Sequence, residues 1–364
     1  MCKILKKINL IVGARPNFIK AFPVYRALER TNNFVLRLIN TGQHYDENMA
    51  SIFFKQLKMK EPDLNLEIGS GLHGEQTGKI LTEIEKVFID EKPDLVMVFG
   101  DVNSTLASAL AASKLCIPIA HVEAGLRSFD HTMPEEINRV ITDQISNLLF
   151  TTSREAETNL VREGKRSNQI FFIGNTMIDS LLQFKPHFDA TDILNKFDLK
   201  KGEYIIVTMH RPSNVDSLDN LISIIEALNK VSDLFPCIWP VHPRIRETIS
   251  KMKINIGEKL LLIKPMGYLE FMGLQKDAIA IITDSGGIQE ESTFLGVPCM
   301  TVRNNTERPI TVEKGTNKLV GTNYSKIPSI LIDIIEKNKR SAIPELWDGN
   351  ASQRIADILV KKMY

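Results

Sequence analysis

Three carboxylates stand where apolar runs of this 364-residue sequence stop. Asp101 follows "VFG", Glu123 sits in "AHVEAGLRS" beside His121 and Arg127, and Glu135 opens "PEEINR" after Pro134. Charge on an apolar strand is costly unless it is paired or used. Carboxylates gathered at one sheet edge raise one another's pKa, which suits general acid–base work. Each also has a structural explanation. Asp101 can cap a following helix, as Asn103 or Ser104 can, and Glu135 and Glu136 answer a helix dipole. A divalent metal is another use for three carboxylates. Against it, Arg127 and Arg139 lie close in sequence.

Cations and glycines follow the same logic. In "IVGARPNFIK", Arg15 and Lys20 come just after a strand, with Pro16 in the first helical turn. Basic side chains beside helix amides make an anion site, although solvated side chains explain them equally well. Farther on, His210 ends "VTMH" and His242 ends "PVH". Two histidines at equivalent strand ends favour function over a structural role. In "IITDSGGIQEES" an apolar strand gives way to Ser285, Gly286 and Gly287, which open a helix. Such amides form a phosphate cradle. Glu291, about one turn farther, is placed for ribose hydroxyls, and Arg303 and Arg308 follow the next strand. One half thus offers carboxylates with Arg15 and Lys20, and the other a diphosphate cradle and a histidine. That combination describes a two-domain enzyme acting on a nucleotide-linked substrate.

These residues need strands that end together. "INLIVG" (8–13), "FVLRLIN" (34–40), "DLVMVFG" (94–100), "IPIAHVEAG" (117–125), "NLLFTTS" (147–153) and "QIFFIGN" (169–175) alternate with amphipathic runs. The pattern restarts at "YIIVTMHR" (204–211) and continues through "CIWPVHP" (237–243), "LLLIKP" (260–265), "AIAIITDSGG" (278–287) and "PCMTVRN" (298–304). The expectation is an α/β protein of two doubly wound, Rossmann-like parallel sheets. Ligands then sit beyond the carboxyl ends of strands, in the cleft between the domains. The domains expected are 1–180, with the helix 351–364 returning to it, and 181–350. The polar stretch from Phe184 to Gly202 reads as a connector.

Bulk composition excludes several classes. With 45 basic and 44 acidic residues the net charge is +1, which gives no reason to expect nucleic acid or an anionic membrane as partner. Cys2, Cys116, Cys237 and Cys299 form no C-x-x-C pair, and the last three read as buried thiols. The opening apolar run is too short for a signal peptide, and no apolar run reaches 18 residues, so the expected location is the cytoplasm.

"GSGLHG" (69–74) fits the dinucleotide pattern G-x-G-x-x-G, but that fingerprint belongs at the first strand-to-helix turn, which here is "VGARPN". The following "GEQTGKI" fails as a P-loop in spacing and in lacking Ser or Thr after Lys79. The segment reads as a loop entering the next helix, with His73 placed to meet ligand.

Together "GARPNFIK", "GDVNSTLA", "HVEAGLRS", "MPEEINR", "TDSGGIQEE" and "TERP" resemble the non-hydrolysing UDP-N-acetylglucosamine 2-epimerases, in order from about residue 11 to 310. The resemblance implies a GT-B-like fold and interconversion of UDP-GlcNAc and UDP-ManNAc, supplying sugars for surface polysaccharide. The implied route eliminates UDP to a 2-acetamidoglucal and adds it back, so no cofactor and no metal are needed. It implies a homodimer through the first domain, with a UDP-sugar as the small-molecule partner. By position, Asp101, Glu123 and Glu135 match the catalytic carboxylates and His210 the histidine near the diphosphate. Arg15 and Lys20 match substrate-binding cations; Ser285, Gly286 and Gly287 match the cradle, and Glu291 the ribose contact. Met266 and Phe271 occupy the uracil segment, and Arg308 matches a further nucleotide contact. Gln43, His44, Glu136 and Arg211 match an activating second site. The forms "TGQHYDENM" and "HRPSNVD" lean toward relatives that act on modified sugars, including UDP-2,3-diacetamido-2,3-dideoxyglucuronate 2-epimerases.

Overall fold

Strands buried on both faces read as continuous apolar runs rather than as alternation. Leu95–Phe99 is such a run, and every residue in it is buried. The computed structural model describes residues 5–43, 59–337 and 342–363. His44 lies outside them. The chain divides into two compact units, one of residues up to Gln183 plus those from Glu345 onward, the other Phe184–Pro344.

The first unit runs β1 (Lys6–Val12), α1 (Arg15–Thr31), β2 (Phe34–Asn40), β3 (Leu64–Asn65), α2 (His73–Glu91), β4 (Leu95–Phe99) and α3 (Asn103–Lys114). It continues through β5 (Ile119–Ala124), α4 (Pro134–Ile145), β6 (Leu148–Thr151), α5 (Arg154–Arg162), β7 (Ile170–Phe172) and the first part of α6 (Thr176–Asp189), whose residues from Phe184 belong to the second unit. Its sheet is parallel, in the order β3-β2-β1-β4-β5-β6-β7. The order reverses between β1 and β4, and the carboxyl ends there form the switch point where doubly wound folds place ligands.

The second unit holds α7 (Ile193–Lys196), β8 (Ile205–Thr208), α8 (Pro212–Val215), α9 (Leu218–Leu234), β9 (Cys237–Pro240), α10 (Pro243–Lys251), β10 (Leu260–Ile263) and α11 (Tyr268–Gln275). Then come β11 (Ala280–Thr283), α12 (Gly286–Leu295), β12 (Cys299–Thr301), α13 (Ile310–Glu313), β13 (Asn317–Leu319) and α14 (Ile327–Lys337). Its parallel sheet is ordered β10-β9-β8-β11-β12-β13, with the switch point between β8 and β11. The last helix, α15 (Ala351–Met363), lies in the first unit against α1.

Helix α1 carries Pro23 in its interior, so the carbonyl of Ile19 loses its usual N–H donor. Ser180 Oγ of α6 donates to that carbonyl at 2.5 Å and replaces it. At the start of α15, Asp179 accepts from Ser352 N at 2.7 Å and from Ala351 N at 3.2 Å, capping the helix from a distance.

Two sequence expectations need correction. Phe184–Gly202 is not an irregular connector: α6 runs to Asp189, Phe188 is fully buried and Ile193 enters the second unit's core. The aromatic and aliphatic groups there are interleaved with polar neighbours and follow no sustained period. Cys116 is exposed, because it turns the chain out of α3 at φ 57°. Cys237 and Cys299 are buried as expected.

Candidate functional site

At the first switch point, β4 ends and Gly100 turns the chain at φ 64°. A Cβ on Gly100 would stand 3.2 Å from Lys20 Nζ, so the missing side chain leaves room for that ammonium beside the Gly100 turn. Lys20, 5% exposed, forms an ion pair with Glu123, 4% exposed. Glu123 occupies φ 77° on β5, where the pairing register with β6 shifts. A left-handed non-glycine residue inside a strand is strained, and such strain persists only where surrounding structure enforces it.

Asp101 is held from the other side. Arg139 Nε of α4 pairs with Asp101 Oδ2 at 3.0 Å, and Asn138 Nδ2 donates to the Asp101 carbonyl at 2.9 Å. Arg139 also donates to Glu136. Glu136, 1% exposed, accepts from Ser128 N, Ser128 Oγ and Phe129 N at 2.9–3.0 Å. Glu135 beside it is half-buried. The run Glu123–Lys20–Gly100–Asp101–Arg139 thus links the strand-end carboxylates to the start of α4, which carries Glu135. Arg15 begins α1 at the same switch point and is half-buried.

Beneath this set, His121 Nδ1 meets Asp143 at 2.6 Å and Nε2 meets the Gly100 carbonyl at 2.8 Å, fully buried. Burial would raise the Asp143 pKa, but His121 and Arg127 beside it bring the carboxyl below its usual range. Gln43, 7% exposed, accepts from Ser104 N at 3.0 Å and Ser104 Oγ at 2.7 Å. It therefore caps α3, whose N-cap residue is Val102; neither Asn103 nor Ser104 caps it, contrary to the sequence reading. Asn103 instead donates to Gln76 at 2.9 Å and to His73 Nδ1 at 3.2 Å, and Gln76 donates to the Gly69 carbonyl at 2.8 Å. These contacts tie the "GSGLHG" loop to the residues around Asp101.

In the second unit β8 and β11 end side by side. Asp284, fully buried, follows β11 and accepts four hydrogen bonds: from His210 Nδ1 at 2.8 Å, His210 N at 3.0 Å, Arg211 N at 2.9 Å and Asn214 Nδ2 at 3.0 Å. Burial opposes its charge, yet these donors carry its pKa below the ordinary carboxylate value. The His210 side chain is 63% exposed. Arg211 Nε donates to the Asp284 carbonyl at 3.0 Å.

Ser285 is the N-cap of α12, without a side-chain cap of its own, and Ser285, Gly286 and Gly287 are half-buried. Gly286 has a packing reason as well: a Cβ there would lie 2.4 Å from Arg308 Nη1 and 2.6 Å from Glu307 Oε1. Arg308 is 5% exposed and pairs with Glu290 at 3.1 Å and with Glu307. Burial, reinforced by Glu290, pushes Glu291 up to about 8. Met266 and Phe271 pack partly buried on the core around Tyr204 and Leu274. His242, exposed, accepts from Arg244 N at 3.3 Å and caps α10, a structural role.

The sequence reading missed Asp284, Asn214, Gln76 and the use of Arg139. Only Asp284, the charged residue of "TDSGG", carried a local signal. Among the described residues, no group of three or more His, Cys, Asp or Glu is placed to hold a metal ion, and no helix is long and apolar enough to cross a membrane.

The family described as UDP-N-acetylglucosamine 2-epimerase matches residues 26–360. A UDP-N-acetylglucosamine 2-epimerase of Methanocaldococcus jannaschii is 46% identical over 367 residues, covering 98% of this chain and all of that protein (100%). The crystal structure of the M. jannaschii UDP-GlcNAc 2-epimerase in complex with UDP-GlcNAc and UDP has a TM-score of 0.91 at 47% identity, covering 98% of this chain and 99% of that one. A UDP-2,3-diacetamido-2,3-dideoxy-D-glucuronate 2-epimerase of Pseudomonas aeruginosa is 43% identical over 358 residues, covering 98% of this chain and 99% of that protein. The two-sheet architecture is accordingly GT-B-like, and the reaction class is that of an isomerase. By motif, fold and likeness over nearly its whole length, the chain belongs to the UDP-N-acetylglucosamine 2-epimerase family.

Proposed function

We propose that this member interconverts UDP-N-acetylglucosamine and UDP-N-acetylmannosamine by elimination and re-addition of UDP. The observation that carries the reading is the placement of two ion pairs, Lys20 with Glu123 and Arg139 with Asp101, at the first switch point. The proton on sugar C2 is not acidic, so a base removes it only as a good leaving group departs from C1. The C2–H electron pair becomes the C1–C2 double bond, and the C1–O pair leaves with UDP. The resulting 2-acetamidoglucal is protonated at C2 on its other face while a diphosphate oxygen re-forms the bond to C1. No oxidant is consumed.

In this reading Asp101, Glu123 and Glu135 supply and receive the C2 proton. Arg15, His210 and the amides of Ser285, Gly286 and Gly287 receive the charge that grows on the diphosphate. Lys20 holds Glu123 in place, Glu291 meets the ribose, and Met266 and Phe271 meet the uracil. Arg308 supports the cradle through Glu290 and Glu307. Gln43, Glu136 and Arg211 hold the surrounding turns, whatever further ligand they meet.

Pure protein incubated with UDP-N-acetylglucosamine in deuterated water, without NAD or metal, should incorporate deuterium at C2 of both epimers. Absence of exchange would sink this substrate. The P. aeruginosa relative favours a second reading, the same chemistry on a UDP-2,3-diacetamidoglucuronate. Exchange on that sugar alone would select it.

The reading includes a homodimer. Helix α4 is inverted: it buries Glu136, Asn138, Arg139, Thr142 and Asp143 and exposes Ile137 and Ile141, 46% and 38%. An apolar stripe on the outer face fits a second copy. Ile141→Glu should shift the molar mass measured by light scattering to that of a monomer; an unchanged mass would remove this face from the interface.

A further inference from the structure

We infer that Asp284 is a positioning residue that sets the tautomer and ring plane of His210, so that Nε2 is the atom presented to the ligand. The inference rests on the assignment of His210 to the reaction made above.

The two oxygens of Asp284 share the His210 amide, which lies 3.2 Å from Oδ1 and 3.0 Å from Oδ2, and otherwise have different neighbours. Oδ2 accepts from His210 N at 3.0 Å, Arg211 N at 2.9 Å and Asn214 Nδ2 at 3.0 Å. Oδ1 lies 2.8 Å from His210 Nδ1. A carboxylate only accepts, so Nδ1 carries a proton. In a neutral imidazole Nε2 is then the acceptor. The carboxylate is fixed in turn: Asn214 accepts from Tyr324 Oη at 3.0 Å and also donates to the Val302 carbonyl at 3.3 Å. The ring is anchored on its buried side while most of the side chain stays exposed. Orientation of an acid–base histidine by a buried carboxylate is a general device on unrelated folds.

The same geometry dictates what Asp284→Asn does. The Oδ2 position faces three donors, so the carboxamide must place its oxygen there. Its NH2 group then points at His210 Nδ1, which must accept, and the proton moves to Nε2. The substitution keeps size and shape but inverts the tautomer. Exchange and turnover should fall about 10²-fold, since a misassigned proton removes an acid–base contribution, while affinity for UDP stays within about threefold.

The test uses full-length protein. Long-range 1H–15N spectra, with the His210 signal identified by its loss in His210→Gln, should show Nδ1–H in the wild type and Nε2–H in Asp284→Asn. C2 deuterium exchange is then measured for Asp284→Asn, His210→Gln and the double variant. Asp284 acting through His210 predicts that the double variant is no slower than His210→Gln. A wild-type Nε2–H tautomer would overturn the inference without any variant having to fold. So would an equal loss from Asp284→Asn in both backgrounds, which is the mark of a purely structural role. If the tautomer inverts and His210→Gln still exchanges at the wild-type rate, the assignment of His210 to the reaction fails and the tautomer assignment stands.

Discussion

The two switch points solve opposite problems. In the first unit the charged groups are buried or half-buried against fixed counter-charges: Glu123 on Lys20, Asp101 on Arg139, Asp143 on Arg127 and His121. In the second, an imidazole stands largely exposed over a buried carboxylate, and the helix that follows that carboxylate starts without a side-chain cap from Ser285. A group that moves a proton must have its acidity set before substrate arrives, which favours burial and partners. A group that receives an anion must keep its polar atoms pointing outward and await the charge. The contrast fits the division of labour proposed above, between sugar chemistry and leaving-group binding.

The sharpest way to break this contrast is Glu123→Gln. It removes a carboxylate and leaves Lys20 buried without its counter-charge. C2 exchange should fall by about 10²–10⁴-fold, and urea unfolding should show a loss of about 3–5 kcal/mol. Retained exchange would mean that the first switch point is only scaffolding.

Next comes the pH response of Glu291. Burial raises its pKa in the folded state from 4.5 to about 8. Between those values the folded protein holds a proton that the unfolded chain has released. Its contribution to stability is full below pH 4.5 and is lost as pH rises toward 8. Asp143 has the opposite sign: its folded pKa is depressed, so its contribution is present above the unfolded value and lost in acid. Glu291→Gln should therefore flatten the fall in unfolding free energy between pH 5 and 8, measured without UDP. An unchanged slope would place the titration elsewhere.

The smallest effect expected is that of Gln43→Ala. It removes the acceptor for Ser104 N and Oγ at the start of α3 and should cost about 1–2 kcal/mol by thermal unfolding. A loss of activity without a loss of stability would show that Gln43 does more than cap.

The strands and the family were legible because buried parallel strands are continuous apolar runs and because the motif residues sit at their ends. What stayed hidden depends on partners distant in sequence. Nothing near Gln43 announces that its amide caps a helix 61 residues away. Asp284 and His210 are 74 residues apart, and only the pairing of β8 with β11 makes them neighbours. The Phe184–Gly202 stretch was misread because its apolar side chains, Phe184, Phe188, Ile193, Leu194, Phe197 and Leu199, are interleaved with polar ones and follow no sustained period.

Glu123 holds a left-handed backbone inside a strand and is paired with a buried ammonium. Glycine would relieve the backbone there, and methionine in place of Lys20 would remove the burden of a buried ion pair. That pair of changes should give a sturdier protein that lacks the chemistry proposed above. Laboratory selection for heat resistance alone would drift toward it, so a stabilised variant of this chain has to be screened for turnover at every step.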